Sequence, residues 1–314
     1  MTRTLLLAER PFRDLRSRAL LALVRARVAD PAPLLTMTGA PRCPPGFEAI
    51  SPDADPTTLG LSHVIIAGVF AGRALLERSL ATAARVITNG ARLDVLGFSV
   101  ERSAARRGAP AGLAVLDAAA VIEAREHHTA NALLVWRLAT PARIEAYPER
   151  HAPADPALAA DLPEGAPVGL GILGDEAVRQ AWADQAPSLS ALLAPWRGRP
   201  ILPLPADLPG APSDDMPGST DFAAALLPGA PMLLPRLADP VWRRRRLTPE
   251  RLKGLVARCA AVVTNQDLVA VQAVACGVPV IDLALGPDRR IVSAMAALAN
   301  DLAPGSRLVF PPYG

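Results

Sequence analysis

The sequence predicts an α/β protein of two doubly wound, Rossmann-like domains facing a cleft. Three observations carry that expectation. Short apolar runs of strand length alternate with amphipathic helical stretches and short connections, the pattern of parallel sheets. The 314 residues suit about two domains. A Pro-, Ala- and Asp-rich stretch without periodicity, His151–Pro167, interrupts the alternation near the middle. The expected division is therefore 1–155 and 156–314.

In the first half, Thr4–Ala8 reads as the opening strand and Asp14–Val28 as a helix, with Leu15, Ala19, Leu20, Leu23 and Val24 on one face. Pro33–Thr38 is a second strand, and Cys43–Thr58 a loop rich in Pro and Asp. Leu61–Ala67 is a buried strand, Gly68–Gly72 a turn and Arg73–Ala84 a helix. Val86–Asn89 reads as a strand, with Asn89-Gly90 opening a loop to about Pro110. Gly112–Ala119 is a short helix and Ala120–Ala124 a strand. A helix then runs through Leu134 and Leu138, before a strand at Arg143–Ala146.

In the second half, Val168–Leu173 is a strand, Asp175–Ala183 a helix and Pro200–Leu204 a strand. Pro205–Thr220 reads as a polar loop, Asp221–Leu227 as a helix and Pro231–Pro235 as a strand. The stretch Thr248–Ile291 carries the clearest signals. Thr248 is an N-cap, Pro249 fits the first helical position, and Leu252, Leu255 and Val256 form an apolar face. Ala260–Val263 is a strand, and Thr264, Asn265 and Asp267 offer cap chemistry to a helix that ends at Cys276-Gly277. Val278–Leu283 is a buried strand, and a helix runs from Arg290 to about Leu302. Ligands of open α/β sheets bind beyond the carboxyl ends of the strands, so Thr264–Asp267 and Leu285–Arg290 are the expected lips of a site.

Composition narrows the function classes. Half of the residues are hydrophobic (51%) and few are aromatic (4%). The 33 Pro residues fall mostly between periodic segments, as loop punctuation. A net charge of +3 and a pI near 9.1 are too mild for a nucleic-acid binder and suit anionic small molecules or a lipid-linked phosphate. Cys43, Cys259 and Cys276 are scattered and odd in number, which points to a reducing compartment and away from structural zinc. No apolar run has the length of a signal peptide or a membrane span, so a cytoplasmic location is expected.

Three further features have both a functional and an ordinary reading. Gly169, Gly171 and Gly174 have GxGxxG spacing at a strand-to-helix turn, yet turn glycines in a Gly/Ala-rich chain produce it often. Arg243–Arg246 suits an anionic ligand or a membrane surface, and consecutive side chains leave about one facing the cleft. His127 and His128 have too few converging partners for a metal site, and no metal is expected.

Several local patterns resemble one family. Val121-Ile122-Glu123-Ala124-Arg125-Glu126-His127-His128-Thr129 looks like a strand ending in an Arg-acid pair followed by Ser or Thr. Ala273–Ile281 looks like a small-residue helix leading into a Gly-x-Pro strand. In these the chain is similar to the polysaccharide pyruvyl transferases. The resemblance implies a GT-B-like fold with an N-terminal acceptor domain and a C-terminal donor domain. It also implies transfer of a pyruvyl group from phosphoenolpyruvate to a sugar of a cell-envelope or exopolysaccharide precursor, such as a lipid-linked saccharide, without a cofactor. Arg125 and Thr129 carry over as substrate-binding residues, and Arg289 and Arg290 supply charge where that family has a Lys. Where the family places Arg-Leu-His, this chain has Gln266-Asp267-Leu268. Asp267 is then the expected base, with Thr264, Asn265 and Gln266 contacting substrate. The strand–loop–helix–GxP pattern also suits a GT-B glycosyltransferase using a nucleotide sugar, and the altered motif suits a binding member without catalysis. Expected partners exclude nucleic acid and include peripheral membrane association.

Overall fold

The computed structural model describes residues 3–8, 15–28, 34–37, 47–51, 53–145, 147–206, 215–284 and 290–309. The chain divides into two compact units, Met1–Phe12 with Leu20–Glu149, and Arg13–Ala19 with Arg150–Gly314.

The first unit is a seven-stranded parallel sheet. Its strands are β1 (Arg3–Leu7), β2 (Leu34–Met37), β3 (Phe47–Ile50), β4 (Leu61–Phe70), β5 (Arg92–Val100), β6 (Ala119–Ala124) and β7 (Arg143–Ile144). They lie in the order β3-β2-β1-β4-β5-β6-β7. The helices are α1 (Leu15–Arg27), whose first turn groups with the second unit, α2 (Arg73–Ile87), α3 (Arg102–Ala105) and α4 (His127–Val135).

Strand β4 shows why the sheet is doubly wound. Its alternate residues Val64 and Ile66 pack in one core with Leu76, Leu80 and Ala83 of α2. Ile65 and Ala67 pack on the opposite face with Leu20, Leu21 and Val24 of α1. A strand buried on both faces needs a continuous apolar run, and each such side chain contributes about 1.5–3 kcal/mol.

Several boundaries differ from those the sequence suggests. Val86–Asn89 is not a strand: Leu76, Leu80, Ala83 and Val86 continue one buried helical stripe, and α2 runs to Ile87. The strand is β5, within the stretch expected to be loop, with every residue after Arg92 buried. The expected turn at Gly68 lies inside β4, where Gly68 adopts a φ of 95° and the register with β5 shifts. Phe47–Ile50 is a strand, and the helix after Gly112 is a 3-10 turn, Leu113–Ala118.

The second unit holds β8 (Val168–Gly171), β9 (Ile201–Pro203), β10 (Ala261–Thr264), β11 (Val280–Leu283) and β12 (Arg307–Val309), all parallel in the order β12-β11-β10-β8-β9. Its helices are α5 (Glu176–Asp184), α6 (Ala186–Leu193), α7 (Asp215–Leu226), α8 (Pro240–Arg246), α9 (Pro249–Val256), α10 (Asp267–Ala275) and α11 (Arg290–Ala297). One sheet face, Leu170, Val263, Ile281 and Leu283, packs with Val178, Trp182, Leu189 and Phe222. Gly169 and Gly171 lie on the other face, where an added Cβ at Gly171 would come 3.1 Å from Val269 of α10. Helix α10 is buried from Asp267 to Val274, so its apolar residues surround it and leave no polar face.

Here too the outcome differs locally. Helix α7 starts at Asp215, not Asp221; Pro217 falls in its first turn, where proline is tolerated, and Gly218 packs inside. Pro231–Pro235 forms no strand, only a bridge between Ile201 and Met232. Arg243–Arg246 is helical because Asp239 caps α8 and Pro240 opens it. The final helix stops at Ala297, and α6 and β12 are additional elements. No helix among the described residues is long and apolar enough to cross a membrane.

Candidate functional site

In the second unit the strand order reverses between β8 and β10, and in open α/β sheets ligands bind at the carboxyl ends of strands beside such a reversal. Thr264 and Asn265 shape this point. Thr264 Oγ1 donates to Gly171 O at 2.7 Å and accepts from Gln266 N at 2.9 Å. Asn265 clasps the β8 loop from both ends of its amide: Nδ2 donates to Leu173 O at 2.9 Å, and Oδ1 accepts from Leu173 N at 2.8 Å. Both side chains are thereby engaged with backbone.

Beyond them lies a buried polar cluster. Asp267 opens α10 and is 4% exposed; its Oδ1 accepts from Leu268 N at 2.8 Å and pairs with the Arg16 guanidinium. Gln266, just before the helix, reaches Asp215 Oδ2 with its Nε2 at 3.5 Å. Asp215 is fully buried, accepts the Ala206 N–H, and has Arg243 Nη1 3.9 Å from its Oδ1. Arg243 is itself 1% exposed. Two guanidinium groups and two carboxylates balance in formal charge, as buried ions must if they are to stay ionised. An amide, carboxylates and guanidinium forks together can bind hydroxyl groups and anionic oxygens.

A third carboxyl group, Asp282, sits on β11 beside Thr264 in the register. It is fully buried, and among the described residues neither oxygen has a hydrogen-bond partner. Burial pushes its pKa up to about 8.

The other sequence-predicted residues are placed differently. Arg125, in the first unit, is buried at the end of β6 with its guanidinium 4.5 Å from the Tyr147 ring centroid. Tyr147 holds a left-handed φ of 51°, uncommon for a residue with a side chain. Thr129 is fully buried; its Oγ1 accepts from Val100 N at 3.1 Å and donates to Glu126 at 3.0 Å. Glu126 also accepts from Ser99, and His128 Nε2 lies 3.2 Å away. That carboxylate is the hub of a buried network that holds α4 to β5. Arg289 and Cys43 lie outside the described residues; Arg290 begins α11, and its side chain is outside them too.

The GxGxxG glycines are packing residues. A Cβ at Gly169 would come 3.0 Å from Cys259 Sγ, and one at Gly174 would come 2.6 Å from Gly218 Cα. The backbone N–H groups that follow are occupied, Ile172 by Ser219 Oγ at 3.0 Å and Leu173 by Asn265. Sequence reasoning missed Arg16, Asp215, Arg243 and Asp282. Arg16 read as the polar face of a helix, Asp215 as part of a polar loop, and Arg243 as one of four equivalent arginines. A burial preference for Asp282 was visible only in its apolar neighbours.

No family model matches the chain, and no curated protein matches it. Among solved structures it is similar to the UDP-GlcNAc 2-epimerase of Neisseria meningitidis bound to UDP-GlcNAc, with 11% identity, 98% of this chain and 87% of that one covered, and a TM-score of 0.54. It is likewise similar to the UDP-GlcNAc 2-epimerase of Methanocaldococcus jannaschii, with 12% identity, 98% and 89% covered, and a TM-score of 0.54. The likeness is one of fold: the chain has two Rossmann-like units and a GT-B-like fold.

Proposed function

We propose that this chain binds a nucleotide sugar through its second unit and transfers the sugar to an acceptor hydroxyl. The observation that carries the reading is the buried cluster of Arg16, Asp215, Arg243, Gln266 and Asp267 near the reversal between β8 and β10. Its amide, carboxylate and guanidinium groups match sugar hydroxyls and phosphate oxygens as hydrogen-bond partners. The bound UDP-GlcNAc of the Neisseria neighbour adds support at the level of fold. In the transfer, the bond from the anomeric carbon to the phosphate oxygen breaks and a bond to the acceptor oxygen forms. The acceptor proton passes to a carboxylate, and Asp267, which pairs with Arg16, is our candidate.

Pyruvyl transfer from phosphoenolpyruvate, implied by the resemblance around Arg125, is the competing reading. Thermal denaturation with UDP-, GDP- and ADP-sugars and with phosphoenolpyruvate separates the two. A ligand at a hundredfold excess over its Kd stabilises the fold by about 2.7 kcal/mol. A shift with one nucleotide sugar, lost in Gln266→Ala, is the expected result. A shift with phosphoenolpyruvate alone, lost in Arg125→Ala, would favour pyruvyl transfer, and no shift with any of them would overturn both.

A further inference from the structure

The segment from Pro231 to Leu247 turns both cations and apolar groups outward. Arg236, Arg244, Arg245 and Arg246 are exposed, as are Met232 at 37% and Val241 at 55%, and Trp242 is half-buried. The one carboxylate in the segment, Asp239, is spent on capping α8, where it accepts from Val241 N at 2.8 Å and Trp242 N at 3.2 Å.

The helix has a defined inner and outer side. Residues three and four apart share a helix face, so Val241, Arg244 and Arg245 lie together, flanked by Trp242 and Arg246. Arg243 falls on the opposite side, buried beside Asp215. That inward ion pair and the Asp239 cap fix the orientation in which the other arginines are presented.

An ordinary solvated face mixes both signs of charge and has little reason to add Val and Trp. A polyanion such as nucleic acid satisfies the guanidinium groups and leaves the apolar ones without a role. A lipid surface uses both. Guanidinium forks match lipid phosphates, Trp favours the headgroup level, and small apolar side chains enter the acyl boundary. We propose that the outer face of α8, with Arg236 on the 3-10 turn packed against it, is a docking surface for an anionic membrane.

The test is flotation of the full chain with two kinds of vesicle, one of phosphatidylcholine alone and one containing roughly one-quarter phosphatidylglycerol. Binding to the anionic vesicles only is expected. Each arginine near such a surface changes partitioning about fivefold, so Arg244→Gln with Arg245→Gln and Arg246→Gln lowers it roughly a hundredfold. Val241→Ser weakens vesicle binding severalfold and leaves any binding to double-stranded DNA unchanged. Arg106→Gln with Arg107→Gln, which removes two exposed arginines of the first unit, retains vesicle binding. Circular dichroism melting confirms that each variant is folded. Failure of the wild type to bind, equal binding to both vesicles, or an undiminished triple variant would overturn the proposal. So would a Val241→Ser variant that binds vesicles as the wild type does, because that result describes a simple polyanion site.

Discussion

The guanidinium of Arg16 pairs with the carboxylate of Asp267 across 251 positions of sequence, joining the first turn of α1 to the first turn of α10 within the second unit. The two side chains are 14% and 4% exposed, so the carboxylate depends on its partner more than the reverse. Removing one member of a buried pair leaves an uncompensated charge, typically at a cost of about 3–5 kcal/mol. Because Arg16 retains some contact with water, Asp267→Asn is expected near the lower end, about 3 kcal/mol, and Arg16→Gln, which strands the more buried carboxylate, above it. Urea denaturation of Arg16→Gln, Asp267→Asn and the double variant measures it. The double variant should be less destabilised than the sum of the singles by more than about 1 kcal/mol, and strict additivity would remove the pair from the account.

A second relationship concerns backbone contact. Gly174 and Gly218 touch face to face, so a Cβ on Gly218 would collide with Ile172 O and with Gly174 N. Both obstacles are backbone and cannot swing aside. Gly218→Ala is therefore expected to cost about 3 kcal/mol or more, at the upper end of overpacking effects. Gly229→Ala has open space around it and meets only the penalty of a left-handed φ, about 1–2 kcal/mol. Equal costs in chemical denaturation would show that the contact does not matter.

These pairs also mark what the sequence can and cannot disclose. The alternation of β4 and the Thr248 cap were legible because period and capping are local properties. Strand β5 was not, because Asn89-Gly90 resembles a turn and the continuing stripe of Leu80, Ala83 and Val86 reveals the helix only once its partners are known. The site divides in the same way. Gln266 and Asp267 were found from their loop, whereas Arg16, Asp215 and Arg243 reach the same unit's cluster from distant segments. Thr264 and Asn265, expected to contact substrate, have backbone partners that no spacing rule specifies.

In the first unit, Asp94 lies between His63 Nε2 at 3.0 Å and Arg92 Nε at 3.0 Å. Burial alone would raise its pKa, and the hydrogen bonds from His63 and Arg92 outweigh burial and hold the carboxyl below its ordinary value of 3.8. A depressed acid stabilises the fold above its unfolded pKa and loses that contribution as pH falls through the folded value. The loss is thus confined to pH below about 4, and with Arg92 largely exposed it is small. Asp94→Asn should be less stable than the wild type at neutral pH and should converge with it in acid. A constant difference between the two proteins from pH 7 to pH 3 would count against the pairing.

Asp282 acts in the opposite direction. Its carboxyl is buried without a partner among the described residues, and burial raises its pKa from 3.8 to about 8. Between those values the folded chain retains a proton that the unfolded chain has released. Stability therefore falls as pH rises across the window, by up to about 1.4 kcal/mol per pH unit. Asp282→Asn keeps the shape of the protonated acid and cannot ionise, so its stability profile should be flatter over that range. Below about pH 3.8 the wild type and the variant should be similar, and from there up to pH 8 the variant should become increasingly the more stable. Urea denaturation at several pH values reads both curves, and parallel curves would mean that Asp282 does not titrate on burial. The position also has a bearing on chemistry: Asp282 pairs in register with Thr264 at the end of β10, so its proton is held close to the strand end that leads into Gln266 and Asp267.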